Sequence, residues 1–297
     1  MASKELQAVI NIHKSRPIPK GISIEEMRAD MGADFNQFPL APDVRCETVD
    51  AGGVPAEFVS TRESEVGRVV YYLHGGGYVM GSIVTHRELA SRLARAAKAR
   101  VLLIDYRLAP ENPFPAAVED AVTGYRWLLS CGVKPERVVI AGESAGGGLT
   151  AATLVSLKDK GEPQPAAAVC ISPWADMECT GESLTTRADV DPLIQRDTLM
   201  EMAKIYLGGT EPCTPLASPI YADLSGLPPL LIQVGTAEVL YDDAARLAEK
   251  AKEAGVPVVF EPWEDMVHMW HSFASMLPEG QQAIERIGEF VIEHTGK

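Results

Sequence analysis

Val138-Val139-Ile140-Ala141 runs without a gap into Gly142-Glu143-Ser144-Ala145-Gly146-Gly147-Gly148 and then into a helix-forming stretch from Leu149 to Lys160. No other part of the 297-residue chain restricts the fold as much. A β-branched run ending in a small residue reads as a buried strand and the segment beyond it as a helix, so the serine sits in the tight turn between them. Only crowded neighbours hold a non-glycine residue at the strained geometry of such a turn. Gly142 and Gly146 flank it because a Cβ at either place would collide as strand and helix converge. The helix aims its free N–H groups back at the turn, where negative charge is stabilised. A chance glycine-rich turn has the same pentapeptide, so its meaning rests on what else the chain supplies.

The flanking chain supplies alternation. From Cys46 the reading is a strand pair, 46–49 and 56–59, joined at Gly52-Gly53. Strands at 69–73, 101–105, 138–141, 167–171, 230–234 and 258–260 then alternate with helices at 87–97, 116–129, 149–160, 244–254 and 281–294. Near-continuous apolar strands between amphipathic helices indicate an α/β fold with a mostly parallel central sheet covered on both faces. Two segments stand outside this rhythm. Residues 1–42 carry two helical faces, Leu6, Val9, Ile10 and His13, then Ile22, Ile24, Met27 and Met31. Residues 174–225 are polar and turn-rich, with one short helix expected at 198–206. Read together, the two form a helical cap over the carboxyl ends of the strands, where open α/β sheets bind ligands; the alternative for the second is a plain surface excursion. The expected organisation is a cap segment at 1–42, a core at 43–173, a cap insertion at 174–225 before the penultimate strand, and the rest of the core at 226–297.

Composition excludes several functions. With 27 basic and 41 acidic residues the net charge is −14, which argues against nucleic-acid or anionic-membrane partners. Cys46, Cys131, Cys170, Cys179 and Cys213 are scattered, with no C-x-x-C pair, as expected of reduced thiols rather than a disulfide frame or zinc site. The first sixteen residues carry charge throughout and lack an apolar signal core, and no run is long enough to span a membrane. The expectation is a soluble cytoplasmic protein with no cofactor and no metal.

A serine hydroxyl needs a base, and the base needs an orienting carboxylate. Of the six histidines, His13 lies in the cap segment, His294 in the last helix, and His74 and His86 precede the serine. In the order serine, acid, histidine, His268 and His271 remain, in the loop after the last strand. His268, nearer the strand, is the expected base. The acid belongs in the turn Gly235-Thr236-Ala237-Glu238-Val239-Leu240-Tyr241-Asp242-Asp243. Asp242 and Asp243 are accounted for as caps of the helix that follows, whereas Glu238 has no such explanation. Glu238 is the expected acid and Asp242 the alternative. His74-Gly75-Gly76-Gly77 follows the strand at 69–73, and its glycines let backbone N–H groups approach a substrate closely. With the Ala145 N–H they make a two-sided oxyanion donor set, His74 locking the loop by hydrogen bonding. Ser172 and Ser218 lack the strand–turn–helix context of a nucleophile.

These motifs, together with 105–111 (Asp-Tyr-Arg-Leu-Ala-Pro-Glu), Phe114-Pro115-Ala116-Ala117 and Ser172-Pro173-Trp174, resemble the bacterial hormone-sensitive lipase family of carboxylesterases, within the α/β-hydrolase fold. The resemblance spans Leu73 to His268 in the family's order. It implies a Ser–acid–His triad, a two-part cap and short-chain esters as substrates. Two departures stand out: Glu143 where the family has Asp, and Glu238-Val239-Leu240 where it has Asp-Pro-Leu. Arg107 and Glu111 are expected to support the site, Arg107 through carboxylates with Glu143 as its partner and Asp120 joining them. The pocket is expected among Met27, Met31, Phe35, Phe38, Met202 and Leu207. The expected function is hydrolysis of short- to medium-chain carboxylic esters through an acyl-enzyme. A non-catalytic receptor on the same scaffold and an amidase or lactonase are the alternatives. The last strand, 258–261, is an edge that could pair two copies into a homodimer.

Overall fold

In the computed structural model, residues 3–15, 22–35 and 39–296 are described, at 32–35 for the backbone alone. Eight strands form one sheet: β1 (Arg45–Asp50), β2 (Pro55–Ser60), β3 (Glu65–Leu73), β4 (Ala99–Ile104), β5 (Val138–Glu143), β6 (Ala167–Ile171), β7 (Leu230–Gly235) and β8 (Val258–Trp263). Their order is β1-β2-β4-β3-β5-β6-β7-β8. The β1–β2 hairpin and its pairing with β4 are antiparallel, and every other pairing is parallel. Every residue of β5, β6 and β7 is buried, as a parallel sheet covered on both faces requires. Each buried Val, Leu or Ile there contributes roughly 1.5–3 kcal/mol.

The helices are α1 (Lys4–Ser15), α2 (Ile24–Phe35), α3 (Ile83–Ala96), α4 (Ala116–Ser130), α5 (Ala145–Asp159), α6 (Ser183–Thr186), α7 (Arg196–Leu207), α8 (Tyr241–Glu253) and α9 (Pro278–Thr295). Alternate side chains of the central strands point to opposite faces. Tyr71, Leu73 and Ile140 pack with α4, α5 and α8, while Val70, Tyr72, Val139 and Ala141 pack with α3 and α9. A third cluster joins Leu6 and Val9 of α1 to Met266, Val267, Trp270 and Phe273 beyond β8.

The chain departs from the expected boundaries where tertiary contact outweighs propensity. α5 begins at Ala145, directly on the glycine run, although glycine disfavours a helix interior. The close fit explains it: a Cβ on Gly147 would lie 2.9 Å from the Pro173 Cα, and one on Gly148 would strike the Trp174 carbonyl. α3 begins at Ile83 rather than Arg87. Ser82 and Thr85 close a capping box there, and Asp105 Oδ1 accepts from the Ile83 N–H at 2.6 Å. β8 continues through Pro262, which an edge strand tolerates. After β3 the chain crosses to β4 on one side and returns to β5 on the other. The reversal leaves a crevice outside the carboxyl ends of β3 and β5.

Candidate active site

Ser144 stands between β5 and α5 at φ 56°, ψ −121°, a geometry costly for a residue with a side chain. Its backbone is held from both sides. The Ser144 N–H donates to the Ile171 carbonyl at 2.9 Å, and its own carbonyl accepts from Trp174 N–H at 2.9 Å and Gly148 N–H at 3.1 Å. A Cβ on Gly142 would meet the carbonyls of Gly146 and Leu73, and one on Gly146 the carbonyls of Leu73 and His74. Both glycines are therefore required by close approach.

The loops after β7 and β8 are tied together by Thr236 N–H to the Trp263 carbonyl (2.9 Å), Ala237 N–H to the Met266 carbonyl (3.0 Å) and Asp265 N–H to Thr236 Oγ1 (2.8 Å). This zipper brings Glu238 to His268. His268 Nδ1 lies 2.6 Å from Glu238 Oε2, and its Nε2 lies 3.0 Å from Ser144 Oγ. Both side chains are buried, and Ser144 is 7% exposed. The second carboxylate oxygen of Glu238 accepts from Ser172 Oγ at 2.7 Å and from Gly235 N–H at 2.6 Å. Burial pushes the His268 imidazole down, but the Glu238 carboxylate and then Asp191 and Glu143 more than reverse this, so its pKa is raised. Chemically, the hydroxyl has a base within reach and the base has a buried anion behind it.

Beside the hydroxyl, a Cβ on Gly75 would stand 3.2 Å from the Ser144 Cβ. Among the described residues, the N–H groups of Gly76, Gly77 and Ala145 have no acceptor within the protein. They are the donors left for a developing oxyanion. Gly75 differs from the expectation: its N–H donates to Glu143 Oε1. The His74 ring stacks on Tyr106 at 4.2 Å, its Nδ1 lies 2.7 Å from the Gly75 carbonyl, and its own carbonyl accepts from the Tyr106 hydroxyl.

The expected Arg107–Glu143 pair does not form. Arg107 binds Asp120 and Glu119 on the α4 side of the sheet, whereas Glu143 turns to the α3 side, against His86 and Tyr72. The sheet separates them, so Asp120 joins Arg107 alone. Glu111 pairs with Arg28 of α2 at 2.8 Å; Arg28 also donates to the carbonyls of Val79 and Ala109, tying the N-terminal segment to the glycine loop. Asp242 and Asp243 lie within the first turn of α8 and do not cap it. Asp242 accepts from Ser183 N–H, and Asp243 from the N–H groups of Ala175 and Asp176. Burial pushes the Asp243 carboxyl up to about 8. His271 is turned away from the serine, 2.8 Å from Gln233 Oε1.

Of the expected pocket residues, Met202 on α7 abuts Gly77, where a Cβ would collide with its sulfur. Leu207, at the end of α7, is buried. Met27 and Met31 lie partly exposed on α2. Phe38 and the side chain of Phe35 lie outside the described residues. From the same α7, Tyr206 stacks flat on Tyr78 at 3.7 Å. α1 approaches from the other side. There, burial and then the nearby His268 push His13 down to about 4.

Four residues in and around the site were not anticipated in these roles: Ser172, Asp191, Tyr72 and His86. Asp191 is buried in the 174–225 insertion; its Oδ2 accepts from Val239 N–H at 2.8 Å, and its Oδ1 from Leu193 and Ile194 N–H at 2.9 and 2.8 Å. Of the four, only Ser172 carried a sequence signal, in Ser172-Pro173-Trp174.

The family model described as alpha/beta hydrolase fold matches residues 70–272. An acetyl-hydrolase of Streptomyces hygroscopicus is 53% identical over 251 residues, 84% of each chain. The crystal structure of an esterase from the bacterial hormone-sensitive lipase family matches with a TM-score of 0.97 and 51% identity over 99% of both chains. EstE5, in crystals soaked with p-nitrophenyl butyrate, matches at 0.96 and 49% identity over the whole of both chains.

Proposed function

The chain belongs to the bacterial hormone-sensitive lipase family, on the alpha/beta hydrolase fold, and is a carboxylic ester hydrolase; from that premise we propose that Ser144, His268 and Glu238 are its catalytic triad. The supporting observation is the unbroken chain Ser144 Oγ–His268–Glu238, at 3.0 and 2.6 Å. Ser144 Oγ attacks the ester carbonyl while His268 Nε2 takes its proton. Glu238 holds the Nδ1–H tautomer and stabilises the imidazolium. The N–H groups of Gly76, Gly77 and Ala145 receive the oxyanion. His268 then returns the proton to the departing alcohol, leaving an acyl-enzyme. Water, deprotonated by the same imidazole, releases the acid.

Residues 1–42 and 174–225 act as the two-part cap. The Met202 contact with Gly77 and the Tyr206–Tyr78 stack support this, since both bring α7 onto the glycine loop. Such close walls favour short- to medium-chain acyl groups, in keeping with the p-nitrophenyl butyrate soaked into EstE5. Among the described residues no helix is long and apolar enough to cross a membrane. We read the enzyme as cytoplasmic, its five cysteines free. The β8 edge, with Val259 exposed, is the surface proposed for a homodimer, and Val259→Lys should yield monomer in sedimentation. The test of the triad is Ser144→Ala. Its turnover of p-nitrophenyl butyrate should fall on the order of 10⁶-fold, and a fluorophosphonate should label Ser144 in the wild type. Retained turnover would overturn the assignment.

A further inference from the structure

Directly beneath the Ser144 turn, on the α3 side of the sheet, lies a second imidazole–carboxylate pair that touches none of the reacting atoms. Glu143 is the last residue of β5 and His86 belongs to the first turns of α3. His86 Nε2 is 2.7 Å from Glu143 Oε1, and both side chains are almost wholly excluded from solvent. The other face of the ring is equally committed. His86 Nδ1 lies 2.8 Å from Thr85 Oγ1 and 3.0 Å from the Ser82 carbonyl, while the Thr85 hydroxyl already donates to that same carbonyl at 2.8 Å. An imidazole with acceptors at both nitrogens is satisfied only as the doubly protonated cation. Glu143 is the matching anion, for it also accepts from the Tyr72 hydroxyl at Oε2 and from Gly75 N–H at Oε1. Burial opposes both charges; mutual attraction outweighs it, raising His86 and lowering Glu143.

The bond to Gly75 gives this pair a place in the chemistry. Gly75 opens the glycine loop, and the loop rests on Glu143. A Cβ on Gly75 would come 2.8 Å from Glu143 Oε1 and 3.0 Å from the Glu143 carbonyl oxygen. The next two N–H groups, of Gly76 and Gly77, are the ones left without acceptors among the described residues. We propose that the Glu143–His86 ion pair is the positioning element of the oxyanion loop: it takes up the Gly75 N–H and so fixes the following two peptides beside Ser144. Glu143 is a positioning residue, anchored through His86 to α3 and through Tyr72 to β3. The register between Leu73 of β3 and Gly142 of β5 places loop, carboxylate and serine at one end of neighbouring strands. The stacked His74 ring, 5.4 Å from His86, stays neutral in that field: burial and then the His86 charge push it down to about 3.

The proposal rests on the reading of Ser144 as nucleophile, and the experiment separates the two. In Glu143→Gln, kcat on p-nitrophenyl butyrate should fall by about 10²–10³, the scale of losing oxyanion stabilisation, with KM changed less than about threefold. A trifluoromethyl ketone, which adds to the serine as a tetrahedral adduct, should lose affinity by the same factor as kcat/KM. A core ion pair with a merely structural role would not produce that parallel. Tyr72→Phe removes one hydrogen bond, leaves the ion pair in place, and should show a smaller loss of the same pattern. It carries the test alone where Glu143→Gln does not fold. Wild-type kcat in the folded variant, or a loss of kcat that ketone affinity does not share, overturns the proposal. Failure of a fluorophosphonate to label wild-type Ser144 would instead overturn the triad.

Discussion

Two buried imidazole–carboxylate pairs flank the Ser144 turn, and they differ in what faces the second ring nitrogen. In both, a glutamate oxygen lies 2.6 or 2.7 Å from an imidazole nitrogen. In both, burial favours neutrality and the carboxylate reverses it. His268, however, turns its other nitrogen to a hydroxyl, which donates or accepts as needed. It can exist as a neutral base hydrogen-bonded by Ser144 or as an imidazolium, and the proposed mechanism needs both. His86 turns its other nitrogen to the Ser82 carbonyl and to a threonine whose proton is already used. Only the cation fits there. One pair is therefore built to exchange a proton and the other to keep it, from the same two residue types. What sets the function is the partner of the far nitrogen, a detail that neither residue identity nor burial reports.

The largest expected effect separates the pairs on activity. His268→Gln should lower kcat on the order of 10⁶-fold, and it too should cost stability, because buried Glu238 loses its imidazole partner. Glu238→Gln should follow at about 10⁴-fold, since the amide cannot hold the correct tautomer. His86→Gln should part from it in turnover. It retains far more turnover than His268→Gln, but loses about 3–5 kcal/mol of stability because Glu143 is left charged and unpaired. If His86→Gln matched His268→Gln in turnover without losing stability, the distinction between the pairs would fail.

The pH dependence of stability sharpens the same comparison. His86 is raised above its ordinary 6.5, so its contribution is fully present below 6.5 and fades as pH climbs through the folded value. Glu143 is lowered below its ordinary 4.5, so its contribution is full above 4.5 and fades as pH drops through the folded value. Both are complete between pH 4.5 and 6.5. The stability gap between wild type and Glu143→Gln in urea titrations should be widest in that window.

What the sequence disclosed about this site follows the range of the interactions involved. Ser144 and its glycines were legible because strand, turn and helix are contiguous, and the steric demand is local. His268 and Glu238 were legible from their places after β8 and β7, which sheet topology delivers to one end. The antiparallel hairpin and parallel core followed from apolar runs and Gly52-Gly53. Glu143 went astray because facing is a three-dimensional property. Neighbours along β3 show it: Tyr71 reaches the Ala121 carbonyl on the α4 side and Tyr72 reaches Glu143 on the α3 side. Arg107 falls with the first of these, so its partner is Asp120. Ser172 was weighed only as a nucleophile, since its bond to Glu238 spans 66 residues.

Asp191 had no local signal at all, and it offers the finest test of how His268 is tuned. It reaches from the insertion to Val239, the residue after the proposed triad acid, and its negative charge is among those that raise His268. A raised imidazole stays protonated to higher pH, so the base becomes available only as pH rises through that value. Asp191→Asn keeps the size of the side chain and a carbonyl acceptor for the Leu193 and Ile194 N–H groups, but it removes the charge and turns an amide –NH2, which cannot accept, toward Val239 N–H. His268 should then lose its proton at lower pH, and the acid limb of kcat/KM on p-nitrophenyl butyrate should move down by less than about one pH unit. Loss of the Val239 bond should lower activity at the optimum, whereas the position of the acid limb reads the charge. Asp105, which is half-buried near His86 and caps α3 through Ile83 N–H, provides the matched control. Its charge acts on the pair that does not titrate in turnover, so Asp105→Asn should leave the acid limb in place. A shift of equal size in both variants would mean that His268 responds to the net charge of the core and not to the carboxylate that the insertion brings to its loop.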